Sequence, residues 1–331
     1  MDLAISGLLS FCSRVDFGIV NISQEEEVFL KELNREILSL CEYLPESMRT
    51  KAALFLVEYL HATFSDGINF VNYFYTPAWS ILYWLHRSYS GRRRLDMKYL
   101  QYAKTGHTMA MFLHAFDDHL ADGQISVTHQ ALLIRSQAWV IMTRAFERLA
   151  KGVAGGAAIV RGFINDYYSS IGKSAETDSL DSYCALFRKQ MATWLIAPIL
   201  LSKIIFPRED ISHSIKAAYC SFGIAWRLLD DLQDLEKDMI NGVHSSIYIF
   251  LNKDLKYSWD QYTEEKIDQH YDHLKTILSY ILEKGVVETI RKRSCDELES
   301  AAYIADSCGM SGLANELRCL MKPLRKERNH P

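Results

Sequence analysis

Two clusters of aspartates, each at the end of a long apolar stretch with helical periodicity, constrain the fold of this chain more than any other feature. The first reads HTMAMFLHAFDDHLADGQ and the second reads GIAWRLLDDLQDLEKD. Carboxylates that continue an apolar helix face point into the protein interior, where an unpaired charge is costly. Aspartates four residues apart share a helix face and repel one another. A hard cation that binds oxygen, such as magnesium, would remove both penalties.

The rest of the sequence predicts an all-α fold. Only six prolines and sixteen glycines interrupt the 331 residues, a scarcity that favours long helices over many short strands. The breaks are too short to be flexible linkers, so we expect one helical domain over residues 1–331, in which the first 20 residues or so are candidates for a flexible segment. Apolar residues recur with helical spacing over about 24–44, 49–64, 77–89, 96–121, 127–150, 157–172, 179–205, 211–240, 260–284 and 292–306.

Charge and composition argue against several classes of protein. With a formal net charge of −4, the chain lacks the basic field of a nucleic-acid-binding protein. Seven scattered cysteines, an odd number without metal-ligand spacing, are typical of a reducing compartment. The sequence shows neither a signal peptide nor an apolar run long enough to span a bilayer. These features predict a cytoplasmic protein without a nucleic-acid partner and without an integral membrane segment.

The two clusters, about 110 residues apart, resemble the aspartate-rich motifs of the isoprenoid synthase superfamily, which contains trans-isoprenyl diphosphate synthases and class I terpene synthases. The resemblance extends over roughly residues 77–328. It implies a single-domain bundle of ten or more helices around a deep apolar active-site cavity, and an enzyme that ionises a prenyl diphosphate with three Mg²⁺ ions. The metal ligands that it implies are Asp117, Asp118, Asp122, Asp230, Asp231, Asp234 and Asp238.

Further site residues follow from their positions within the same resemblance. The segment LFRKQMATWLIAPIL resembles the helix that carries a diphosphate-binding lysine, and NGVHSSIYIFL resembles the loop that follows the second cluster. The resemblance implies that diphosphate is bound by Arg188, Lys189, Arg227, Ser245 and one of the terminal cations, Arg325 or Arg328. The expected catalytic residues are Asp117, Asp118 and Arg227.

Aromatic residues are expected to form the wall of the cavity. The cation left by an allylic diphosphate must be kept from water, and aromatic faces can stabilise it. Phe112 lies five residues before Asp117, where synthases of the superfamily set product length. We expect Phe112, Phe116, Tyr73 and Trp226 to contact the substrate. The many aromatic residues favour a large cavity and a C15 or C20 substrate.

One departure from the resemblance separates cyclisation from chain elongation. Chain-elongating synthases bind a second diphosphate through a basic G-K-R-x-R-P segment and two arginines after the first cluster. The corresponding segments here are residues 72–77, NYFYTP, and residues 123–126, GQIS, which contain no lysine or arginine. We therefore predict a class I terpene synthase that cyclises a linear prenyl diphosphate and releases diphosphate. The alternatives are a chain-elongating trans-prenyltransferase and an inactive synthase subunit, and a homodimer is left open.

Overall fold

The computed structural model describes residues 3–60, 69–88, 95–171, 177–206, 208–261 and 271–325. Within these ranges the chain forms sixteen α-helices and one short 3-10 helix, Phe70–Tyr73, and no β-strand. The all-α prediction is therefore confirmed. The α-helices are α1 (Leu3–Cys12), α2 (Gln24–Glu42), α3 (Glu46–Tyr59), α4 (Pro77–Arg87), α5 (Met97–Ala121), α6 (His129–Ala150), α7 (Gly156–Ile171), α8 (Leu180–Gln190), α9 (Ala192–Ile205), α10 (Glu209–Gln233), α11 (Leu235–Asn241), α12 (Ser246–Ile249), α13 (Lys253–Asp260), α14 (Tyr271–Glu283), α15 (Val286–Ser307) and α16 (Ser311–Leu324).

Local sequence signals explain where several helices begin. Ser23 and Glu26 form a reciprocal capping box at the start of α2. The side chains of Asp96 and Thr128 accept hydrogen bonds from backbone N–H groups in the first turns of α5 and α6. Such caps satisfy N–H groups that lack a partner within the helix. They fix the starts of the helix that carries the first aspartate cluster and of the helix that follows it.

Two predicted helices are each divided in the structure. The segment 179–205 forms α8 and α9, which meet at Met191 with a bend of 66°. Met191 packs closely on Gly223 of α10, where an added Cβ would lie 2.5 Å from the Met191 sulfur. The segment 211–240 divides at Asp234 into α10 and α11. Part of the predicted helix 260–284 falls on residues 262–270, which lie outside the described ranges.

Helix α9 is the central element of the bundle. Its residues are buried almost throughout, and Trp194 is fully buried. It packs against both α5 and α10, while α10 also packs along α15 and α5 along α6. Burial of apolar surface contributes about 25 cal/mol per Å² to folding. The buried helix α9 thus holds together the two helices that carry the aspartate clusters.

The N-terminal segment lies on the same bundle. Leu8 and Cys12 of α1 are buried in an apolar cluster that includes residues of α11 and α14. The side-chain amide of Gln233 donates to the carbonyl oxygen of Val15 at 2.8 Å, and the N–H of Gly18 donates to the carbonyl oxygen of Leu320 at 2.9 Å. These contacts join residues 15–18 to α10 and α16.

Among the described residues, none of the individual helices combines the length and the apolar character needed to cross a membrane. Helices α8 and α9 taken together have the length and composition of a membrane-spanning segment, but they are bent relative to each other by 66°. Helix α9 is also enclosed by the rest of the bundle.

Candidate active site

Aspartates of both clusters line one cavity, called cavity A here, with a volume of about 200 Å³. Helix α5 and its C-cap supply Asp118 and Asp122, and the segment spanning α10 and α11 supplies Asp230, Asp234 and Asp238. Asp118 and Asp122 are about one helical turn apart, so they lie on the same side of α5. The structure therefore brings five of the seven predicted metal ligands to one space.

Asp117, a sixth predicted ligand, lies outside cavity A and is bound by an arginine of α6. Arg135 donates from Nε to Oδ1 of Asp117 at 2.6 Å and from Nη2 to Oδ2 at 2.8 Å. The hydroxyl of Tyr167 donates to the same carboxylate at 3.4 Å. Asp117 was predicted as both a metal ligand and a catalytic residue, but this carboxylate already has partners that satisfy it.

Asp231, the seventh predicted ligand, is fully buried beside cavity A. Its Oδ1 accepts a hydrogen bond from the hydroxyl of Tyr183 and lies 3.0 Å from Nε of Arg227. Its Oδ2 accepts from the backbone N–H of Ser246 at 2.9 Å. Asp231 thus joins α10 to α8 and to the start of α12, and its role as a metal ligand stays a prediction.

Cavity A concentrates negative charge in a partly buried space. Burial raises the pKa of Asp230 to about 7; the guanidinium of Arg227 opposes this shift, and neighbouring aspartates add to it. Burial also raises the pKa of Asp238 to about 8. The Oδ2 atom of Asp238 is buried without a hydrogen-bond partner. These carboxylates are destabilised as anions, a condition that a bound cation relieves.

The donor set of cavity A fits Mg²⁺ that binds together with a diphosphate. No group of three or more His, Cys, Asp or Glu side chains in the described ranges is placed to hold an ion by itself. Mg²⁺ retains waters and is commonly held by one or two carboxylates plus phosphate oxygens of the substrate. An incomplete set of protein ligands therefore suits it. The residues that would hold it are Asp118, Asp122, Asp230, Asp234 and Asp238.

A second cavity, cavity B, has a volume of about 520 Å³ and shares His114, Asp118 and Arg227 with cavity A. Most of the wall of cavity B is apolar. Its charged groups are the carboxylates of Asp117 and Asp118 and the guanidinium groups of Arg135 and Arg227. An apolar space joined to a carboxylate-lined one can accept the hydrocarbon chain and the diphosphate of a single molecule. The other residues that line cavity B are Asp117, Leu120, Ala121, Val127, Leu132, Arg135, Tyr167, Ile171, Phe187 and Gln190.

His114, which sequence reasoning did not assign to the site, lies where cavities A and B meet. Its ring packs edge-on against Trp194, with 4.6 Å between ring centroids, and lies 6.0 Å from the ring of Trp226. Burial, assisted by the charge of Arg227, lowers the pKa of His114 to about 3, so the imidazole is neutral near pH 7. The available signal was its spacing, because a residue four positions before Asp118 lies on the same helix face.

The predicted wall residues divide into two groups. Trp226 lines cavity A, and Tyr73 lines both cavity A and a third cavity, cavity C. Phe112 and Phe116 are fully buried instead, and both pack edge-on against Tyr59. They do not line cavities A, B or C.

The cations predicted to bind diphosphate are also separated in space. Arg227 lines both cavities A and B. Arg188 lies 4.0 Å from Glu297 of α15, and Lys189 is exposed near the end of α8. Neither Arg188 nor Lys189 lines cavity A or B, although the adjacent Gln190 lines cavity B.

Of the predicted loop and tail residues, Ser245 and Arg325 lie outside cavities A and B. Ser245 is buried at the start of α12, where the next residue, Ser246, is hydrogen-bonded to the second cluster. Arg325 is paired with Glu299 at 2.9 Å. The other predicted terminal cation, Arg328, lies outside the described residues.

Cavity C has a volume of about 490 Å³ and adjoins cavity A through Tyr73, His119 and Gln124. The hydroxyl of Tyr59 and Nδ1 of His119 lie 3.0 Å apart on its wall. No lysine or arginine is found among its described lining residues, and its one carboxylate is Glu58. The other residues that line cavity C are Phe55, Ile125, Ser126 and Thr128.

Solved structures with the same architecture are prenyl synthases, whereas no protein-family model and no curated protein matches this sequence. A geranylgeranyl pyrophosphate synthase from Lactobacillus brevis is 13% identical with a TM-score of 0.67, over 90% of this chain and 97% of that one. A polyprenyl synthase from Caulobacter crescentus, complexed with calcium and isoprenyl diphosphate, is 11% identical with a TM-score of 0.65, over 90% and 96%. A geranylgeranyl pyrophosphate synthetase from the archaeon Geoglobus acetivorans is 15% identical with a TM-score of 0.63, over 90% and 100%. The chain therefore has the isoprenoid synthase fold, as the resemblance predicted.

Proposed function

We propose that the protein is an enzyme that uses Mg²⁺ to ionise an allylic prenyl diphosphate. The observation that carries the proposal is cavity A, where Asp118 and Asp122 share one space with Asp230, Asp234 and Asp238. The fold adds support, since the C. crescentus polyprenyl synthase was solved with calcium and isoprenyl diphosphate. Mg²⁺ held by these carboxylates would act as a Lewis acid on the negative charge that develops as the carbon–oxygen bond breaks.

The chain itself supplies fixed positive charge and a dry, aromatic surface. Arg227 lines cavities A and B, and its hydrogen bond to Tyr183 holds the guanidinium in place before substrate binds. Donors fixed in advance stabilise developing charge most effectively. The allylic cation would lie against Trp226 and the neutral ring of His114, which exclude water and can stabilise positive charge.

The comparisons favour chain elongation as the fate of this cation. The similar structures named above are all prenyl diphosphate synthases. They support the alternative of a chain-elongating trans-prenyltransferase better than the class I terpene synthase predicted from the sequence. In an elongation reaction, isopentenyl diphosphate would need a place next to the allylic carbon, and cavity C adjoins cavity A.

Cyclisation is a second candidate because of the chemistry of cavity C. A second diphosphate needs cationic partners, and the described lining residues of cavity C provide none, while Glu58 would repel an anion. Residues 61–68, which lie outside the described ranges, contain no lysine or arginine either. A cyclase binds one diphosphate and needs no second site.

One assay separates these outcomes. The protein is incubated with Mg²⁺ and C10, C15 or C20 allylic diphosphates, with and without labelled isopentenyl diphosphate, and products are identified by gas chromatography–mass spectrometry. Label in a longer diphosphate would identify chain elongation. An unlabelled hydrocarbon or alcohol would identify a terpene synthase. If no substrate releases diphosphate, the proposal is contradicted, and the inactive synthase subunit becomes the favoured alternative.

A further inference from the structure

Arg227 combines with two adjacent aspartates of α10 in a way that suits a diphosphate site. Its Nε donates to the hydroxyl of Tyr183 at 2.9 Å and lies 3.0 Å from Oδ1 of the buried Asp231. Its Nη1 donates to Oδ2 of Asp230 at 3.3 Å. Asp230 lines cavity A, whereas Asp231 holds the arginine. One aspartate of the pair is thus available to a metal, and its neighbour positions a guanidinium.

Helix α5 repeats this arrangement with Asp118 and Asp117. Asp118 lines cavities A and B, whereas Asp117 accepts two hydrogen bonds from Arg135, at 2.6 and 2.8 Å. The Tyr167 hydroxyl contacts the same carboxylate, and the guanidinium carbon of Arg135 lies 5.9 Å from the ring centroid of Trp139. Asp117 and Trp139 therefore fix the position of the Arg135 guanidinium, and Tyr167 holds Asp117.

Arg135 retains hydrogen-bond donors for a ligand. A guanidinium group has five N–H donors, and the pair with Asp117 uses two of them. The Arg135 side chain is 36% exposed and lines cavity B together with Arg227 and Asp118. Arg135 and Arg227 lie on the wall of the cavity that also contains Asp118, a residue shared with cavity A. Two guanidinium groups match the charge of a diphosphate, and their planar shape suits its oxygens.

We propose that Arg135 binds the diphosphate of the substrate and that Asp117 is a positioning residue for Arg135 instead of a metal ligand. The inference rests on the proposed function and deepens it by assigning a second guanidinium to the same site. Arg135 is also the first lysine or arginine in the sequence after Asp122, since residues 123–134 contain neither.

Binding of inorganic diphosphate in the presence of Mg²⁺, measured by isothermal titration calorimetry, tests this without turnover. We expect Arg135→Gln to weaken binding roughly ten- to hundredfold, the range for losing hydrogen bonds to a charged group. Arg135→Lys keeps the charge but loses the planar fork, so an intermediate loss is expected. Arg144→Gln removes an exposed cation from the same helix and should bind as the wild type does.

Asp117→Asn distinguishes positioning from metal binding. We expect it to weaken diphosphate binding, because Asn keeps the shape but loses the charge that holds Arg135. At saturating diphosphate it should leave unchanged the Mg²⁺ concentration that gives half-maximal binding. Asp118→Asn should raise that Mg²⁺ concentration.

Two results would overturn the inference: diphosphate binding by Arg135→Gln equal to that of the wild type, or a raised Mg²⁺ requirement in Asp117→Asn at saturating diphosphate. Thermal unfolding identifies variants that are not folded, and if Arg135→Gln is among them, wild-type binding by Arg135→Lys would overturn the inference in its place. A wild-type protein that binds no diphosphate would contradict the proposed function as well, so the two failures are distinguishable.

Discussion

Glu316 of α16 is a carboxyl group buried far from the aspartate clusters in sequence, and the folded protein holds it in a protonated form. Only 5% of the residue is exposed. Ser80 and the indole N–H of Trp84 donate hydrogen bonds to it, and Glu26 is a neighbouring carboxyl group. Burial, followed by the hydrogen bond with Glu26, raises the pKa of Glu316 well above its ordinary value. Glu316 is therefore protonated near pH 7 in the folded state.

This proton makes the free energy of unfolding depend on pH. In the unfolded chain, Glu316 titrates at its ordinary pKa of 4.5, so above that pH the folded state binds more protons than the unfolded state. Stability then falls as pH rises, by about 1.4 kcal/mol for each pH unit while Glu316 stays protonated. The loss amounts to about 3 kcal/mol at pH 7. Glutamine has a similar shape, offers a donor and an acceptor, and does not titrate, so Glu316→Gln should remove most of this loss.

Urea unfolding at several pH values between about 5 and 8, followed by circular dichroism, tests the reasoning. We expect Glu316→Gln and wild type to have similar free energies of unfolding near pH 5, and the variant to become progressively more stable toward pH 8. Glu147→Gln, at an exposed position of α6, is the matched control and should show no such divergence. A difference between Glu316→Gln and wild type that does not change with pH would refute the argument.

Three further predictions concern the site and its supporting helices. Asp230→Asn should lower turnover of an allylic diphosphate by roughly 10²-fold or more at saturating Mg²⁺, and near-full activity would remove the second cluster from the mechanism. Since the pKa values of Asp230 and Asp238 are raised to about 7 and 8, their protons compete with Mg²⁺, so Mg²⁺ affinity measured by calorimetry should increase from pH 6 to pH 8 and should not be flat. Gly312→Ala should lower the free energy of unfolding by about 1–3 kcal/mol, because its Cβ would lie 2.0 Å from the ring of Trp84. The Cβ of Gly162→Ala would meet open space, so this variant should not lower the free energy of unfolding. Equal effects of the two substitutions would contradict this packing argument.

For the first cluster, the sequence predicted which aspartates share a helix face but not what each of them contacts. Helical spacing predicted that Asp118 and Asp122 share a face, and both line cavity A. The same geometry turns Asp117 about 100° away around α5. Sequence alone could not say what Asp117 meets there, because Arg135 belongs to another helix and the contact depends on how α6 packs against α5.

The wall of the cavity was harder to predict for a related reason. Helix α5 is apolar on nearly every side, so the spacing of its apolar residues does not indicate which side faces the substrate. Phe112 and Phe116 lie on one side, toward Tyr59, whereas His114 lies about 200° further round from Phe112 and lines cavities A and B. Counting four residues back from Asp118 indicates His114, while counting five back from Asp117 led to Phe112.

Each aspartate cluster lies at the carboxyl end of a helix, where a negative charge is unfavourable. Helix α5 ends at Ala121 with Asp122 as its C-cap, and α10 ends at Gln233 with Asp234 as its C-cap. The carboxyl end of a helix carries partial negative charge, which disfavours anions there. Folding therefore places these two carboxylates where the partial negative charge of a helix end acts against them. Asp118 repels Asp122 as well. A cation bound between the two clusters would offset this repulsion, which is why we propose that cavity A binds Mg²⁺ together with a diphosphate.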